Sequence, residues 1–127
     1  MVINTYKPYH SPNLVKILNK SIQRQYKALF DYLMSLPIPL NDYDPDGHLP
    51  LIEAVINDVD DYYAIQLVNH GADPLSKDIQ SKNIFDYIIY DKVLVSVDFL
   101  QYLYSNSQSK SVVQLCEKIL KRLNSQN

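Results

Sequence analysis

Asp42, Asp44 and Asp46 alternate along the chain, Gly47 follows, and Glu53 stands six residues further on. Carboxylates at alternate positions, a glycine at a sharp turn and a distal bidentate Glu would suit the oxygen shell of a calcium ion. Against that chemistry, Pro37-Ile38-Pro39 stops a helix short of the first ligand, and Pro50 falls inside the loop. No paired second loop follows. Other reactive groups do not assemble. His10, His48 and His70 are far apart, and the single Cys116 lies on an apolar helical face. One Cys with scattered His gives no zinc spacing, and there is no Gly-rich phosphate loop. The sequence therefore reads as a non-enzyme with neither cofactor nor metal. Cys116 reads as core, in keeping with the burial habit of free thiols. His70 reads as structural at a helix end, and His48 as a contact residue or a solvated turn residue.

The elements around these residues are legible. Asp44 to Gly47 is turn chemistry, in which Asp bonds locally, Pro fixes φ and Gly permits positive φ. Pro50 suits the first turn of a helix, where its missing N–H costs nothing. Leu51, Ala54 and Val55 follow at helical spacing. Asp60 and Asp61 can cap a second helix, whose apolar side is Ile65, Leu67 and Val68. Gly71 fits the left-handed residue that closes it, and Pro74 blocks continuation. A weaker copy begins at Asp78, 34 positions after Asp44. Ile88 falls where Ala54 stood, and Leu100 and Leu103 fall near the slots of Ile65 and Val68.

Asp44-Pro45-Asp46-Gly47-His48-Leu49-Pro50-Leu51-Ile52-Glu53-Ala54, with His70-Gly71-Ala72-Asp73 downstream, resembles one ankyrin repeat. The family pattern is D-x-x-G-x-T-P-L-x-x-A, two short helices and a closing G-A-D. Leu49 stands where the family has Thr, and Ile52 where it often has His. The copy from Asp78 has Ser81, Asn83-Ile84 and Asn106-Ser107 in place of the family's Gly, Thr-Pro and Gly-Ala-Asp. This reading accounts for Asp44, Gly47, Pro50, Leu51, Ala54 and Gly71 together. The calcium pattern, which is that of an EF-hand loop, adds only Asp42 and Glu53.

The ends read as caps. Pro12 to Lys20 is expected to form a helix opened by Ser11, and Gln25 to Leu36 its partner, stopped by Pro37 and Pro39. A closing helix is expected over Ser111 to Leu123, with Ser105 to Ser109 as a polar linker before it. Residues 1–10 and 124–127 are expected to be loose. The expectation is one all-α domain over 1–127: an N-terminal cap at 11–40, repeats at 44–76 and 78–107, and a C-terminal helix at 111–123. That is a short ankyrin-type α-solenoid of about three helix pairs plus a capping helix.

Net charge is only −2, but it is segregated. Ala28 to Asp98 carries −10, residues 1–27 carry +5 and residues 99–127 carry +3. An acidic centre could steer a cationic protein and would repel the phosphates of nucleic acid. No apolar run is long enough for a membrane span, and the first residues lack a secretory signal, so a cytoplasmic setting is expected.

The resemblance implies a protein-binding module whose turn tips and first helices line a concave side. The exposed family positions fall on Pro45, Asp46, His48, Ile56 and Asn57, and in the second copy on Ile79, Gln80, Lys82, Tyr90 and Asp91. The function expected is binding of one basic protein through this acidic face. An immunity-type inhibitor that occludes a toxin, nuclease or other enzyme is one form of that function. A host-directed adaptor or effector is the alternative, and a calcium-binding module through Asp42 to Glu53 a third.

Overall fold

A computed structural model of the chain describes residues 11–57 and 60–125. Among the described residues there are seven α-helices and no strand. They are α1 (Pro12–Gln23), α2 (Lys27–Met34), α3 (Pro50–Ile56), α4 (Asp61–Asn69), α5 (Ile84–Ile89), α6 (Val97–Asn106) and α7 (Lys110–Asn124). The expected all-α class is what the chain adopts. The expectation for residues 1–10, His10 included, lies outside the described residues.

Each helix start has a local cause. The Ser11, Asp60, Asn83, Ser96 and Ser109 side chains accept backbone N–H groups at the starts of α1, α4, α5, α6 and α7. This satisfies donors that have no partner within the helix. Leu49 opens α3 without a side-chain cap, and Pro50 at the first position removes one donor that would need a partner. Asn83 and Asp86 form a reciprocal capping box on α5, which has only six residues. Gly71 closes α4 at φ 104°, with Ala72 N–H on the Leu67 carbonyl and Gly71 N–H on the Val68 carbonyl. Both bonds belong to the Schellman closure, which favours glycine.

Several expected boundaries shift. α1 runs three residues past Lys20, because Ser21 turns its hydroxyl back onto the Leu18 carbonyl and Ile22 is fully buried. Gln25 then takes φ 56°, so α2 starts at Lys27 rather than Gln25. α2 ends at Met34, ahead of Pro37 and Pro39, which follow the helix without cutting it. α6 takes in Ser105 and Asn106, which had read as linker, and α7 runs to Asn124, which had read as loose.

The helices stack in two rows. α1, α3 and α5 pack side by side, and α4 packs on α6 behind them. α1 pairs with α2 and α3 with α4, while α7 lies against α6. α2 meets α4 through aromatic edges: Phe30 lies 4.8 Å from the Tyr63 ring and 6.1 Å from the Tyr62 ring. Tyr62 donates to Asp31 at 2.5 Å, with Lys27 over its ring. Phe30, Phe85 and Phe99 are fully buried, one in each of α2, α5 and α6. Each such side chain contributes about 1.5–3 kcal/mol, enough to hold helices too short to persist alone. Cys116 is buried in α7, and that burial pushes its thiol up to about 11. No helix among the described residues is long and apolar enough to cross a membrane.

Candidate functional site

Two turns with the same hydrogen bonds stand 34 residues apart. In the first, Asp44 N–H donates to the His48 carbonyl, and Asp44 Oδ1 accepts from the Asp46 and His48 N–H groups at 2.9 and 3.0 Å. In the second, Asp78 N–H donates to the Lys82 carbonyl, and Asp78 Oδ1 accepts from the Gln80 and Lys82 N–H groups at 2.9 and 3.1 Å. Gly47 at φ 86° and Ser81 at φ 63° take equivalent corners. The missing glycine of the second turn is thus replaced by a serine in left-handed backbone, which costs more than glycine would.

The second carboxylate oxygen of each turn is tied to the inner helix row. Asn19 of α1 donates to Asp44 Oδ2 at 2.9 Å, and the Tyr87 hydroxyl of α5 donates to Asp78 Oδ2. Burial pushes the Asp44 carboxyl up, but the His48 N–H, Asn19 amide and Asp46 N–H outweigh it and hold the group below its ordinary value. Burial, then the bond to Asp78, raises the Tyr87 phenol. The two turns also touch: Ile79 N–H donates to the Gly47 carbonyl at 3.2 Å. A Cβ on Gly47 would lie 2.2 Å from Ile79 Cγ2, so only glycine allows this approach.

Between the tips and α3 lies a recess of about 260 Å³. Of the residues expected to bind a partner, Asp46, His48, Ile56 and Gln80 line it, together with Ile79. Glu53, Ile52, Asp78 and Tyr87 complete the floor and walls. Asn57 does not line it and instead caps α3, donating to the Glu53 carbonyl at 2.8 Å and to Glu53 Oε2 at 2.7 Å. Lys82 is 2.9 Å from Asp91 and sits over the Tyr87 ring, so this pair flanks Tyr87 outside the recess. Tyr90 is also outside. α5 ends at Ile89, so Tyr90 caps the helix and is 75% exposed. The aromatic residue in the recess is Tyr87, one turn earlier.

Glu53 is the residue that binding-site reasoning passed over. It is 2% exposed and is held by Gln23 of α1 and Asn57 on Oε2, and by His48 Nδ1 on Oε1 at 3.0 Å. Its only sequence signal was the calcium pattern. In the fold, Asp44 turns its oxygens onto N–H donors and Glu53 turns onto amides and an imidazole. Among the described residues no three His, Cys, Asp or Glu side chains converge as a metal set. Among the described residues the recess lining places no Ser, Thr, Cys or Lys beside the His48–Glu53 pair. It offers carboxylate and carbonyl acceptors beside isoleucine walls.

Much of the acidic excess is structural. Asp44, Asp60, Asp73, Asp78 and Asp86 all accept backbone N–H groups in turns and caps. Asp46 at the first tip is 3.3 Å from Lys16 of α1, so the basic N-terminal segment partly neutralises the acidic centre. Comparison with family models, with curated proteins and with solved structures finds no match to this chain.

Proposed function

We propose that this chain is a non-catalytic, ankyrin-type protein-binding module that engages one partner through the tips and the α3–α5 side. The observation that carries the reading is the pair of Asp-clasped turns. They are cross-bonded through Ile79 and Gly47 and set a pre-formed recess beside exposed Ile56 and Ile79. A surface that is ordered before binding loses less entropy on association. Its acceptors and half-exposed Asp46 suit a cationic side chain, and its isoleucines suit the aliphatic stem of that side chain. A basic protein surface is therefore the partner inferred. The role inferred is occlusion of that protein, as an immunity-type inhibitor blocks a toxin or enzyme, in a cytoplasmic setting.

Binding kinetics on folded variants test this. Asp46→Lys should slow association and weaken its salt dependence, because exposed charges steer encounter. Ile79→Ala should speed dissociation, because an apolar anchor acts once the complex has formed. Gln101→Ala on α6 should change neither. Loss of binding on Gln101→Ala, with Asp46 and Ile79 silent, would move the interface to the outer row.

A further inference from the structure

The stack ends differently from its middle. α3 is covered by α1 on one side and α5 on the other, whereas α7 packs on α6. A groove of about 280 Å³ is left between α5, the segment after it and the C-terminal half of α7. Ile88, Ile89, Ile119 and Leu123 wall it with apolar surface, and Leu94 stands in the lining 83% exposed. Leu94 is exposed, Ile88 and Ile89 are half-buried and Ile119 is buried, so the groove keeps apolar surface open to a partner segment. Lys92 and Arg122 also line the groove, and among the described residues no carboxylate does. Among the described residues neither cation pairs with an acidic side chain, whereas nearby Lys121 pairs with Glu117 at 2.9 Å.

We propose that this groove docks an acidic, apolar segment of a partner protein. Aliphatic or aromatic side chains fill the space beside Leu94, and flanking Asp or Glu residues pair with Lys92 and Arg122. Charge decides the occupant: an apolar slot flanked by Lys92 and Arg122 favours carboxylates and repels basic segments. Arg122 presents the planar fork that binds a carboxylate through two bonds. A second copy stacked end to end fits poorly, because both terminal segments of the chain are basic. The groove shares no lining residue with the recess between the tips, so this inference does not rest on the function proposed above.

A random peptide display library selected against the full chain tests it. The expected outcome is enrichment of sequences that combine Leu, Ile or Phe with Asp or Glu. Leu94→Asp changes an exposed side chain and should weaken those peptides by on the order of ten-fold or more. Arg122→Glu should turn the charge preference towards Lys and Arg. Four results would overturn the proposal. One is enrichment of neutral or basic peptides, and another is no enrichment at all. The third is binding that survives Leu94→Asp. The fourth is sedimentation or phosphatidylserine-vesicle binding that Leu94→Asp abolishes, which would give the groove to a second copy or to a lipid surface.

Discussion

Gly47 and Gly71 both hold positive φ, but only Gly47 is also crowded. An Ala at Gly71 meets open space, so Gly71→Ala should cost only the left-handed penalty, about 1 kcal/mol. An Ala at Gly47 adds a clash with Ile79 and should cost about 2–4 kcal/mol. Urea unfolding measures both, and Ile79→Ala should rescue part of the Gly47→Ala loss. Asp44 gives a second test. Its carboxyl is held below the ordinary 3.8, so the stabilisation it provides is present above that pH and is lost as pH falls through the lower folded value. The stability gap between the parent and Asp44→Asn should therefore narrow below about pH 3.8 in urea titrations. A gap unchanged down to pH 2.5 or so would contradict this account of Asp44. Asp44, Gly47 and Gly71 were legible because turn and cap chemistry is local. Glu53 and Tyr87 were not, since their partners Gln23 and Asp78 come from other elements. Tyr90 falls just past the end of α5, exposed and outside the recess, because nothing local fixes where a six-residue helix stops.

Seven helices in the expected order were readable from apolar spacing and caps, while their ends were set by contacts. α1 outran its expected end because Ile22 finds the core, and α2 began late because Gln25 turns the chain. α5 is the element most dependent on its cap. With six residues it cannot persist without its capping box and buried Ile84 and Phe85. Asn83→Ala should cost about 1 kcal/mol, and so should Asp86→Ala. The double variant should lose less than the sum, since the two side chains serve one reciprocal motif. Thermal or urea unfolding of the three variants checks this. Full additivity would show that the two bonds act separately.

At the scale of the molecule, the sequence pointed to an acidic centre between basic ends. In the fold much of that acid clasps turns, and Lys16 reaches Asp46, so the field is softer than the charge count implies. The 34-residue repeat of the Asp turn was visible in the sequence, but the contact between its two tips depends on the stack and was not. Calcium should leave the melting temperature unchanged, because Asp44 and Glu53 of the candidate loop already turn their oxygens onto N–H donors. A rise abolished by both Asp42→Ala and Glu53→Ala would contradict this. The central claim is that the tip side meets a protein partner. Photo-crosslinking in the source cells tests it most directly, with the reactive residue placed at Gln80 on the recess or at Gln101 on α6. The account predicts one discrete adduct from position 80 and none from position 101. Adducts from position 101 alone, or from neither position, would contradict it.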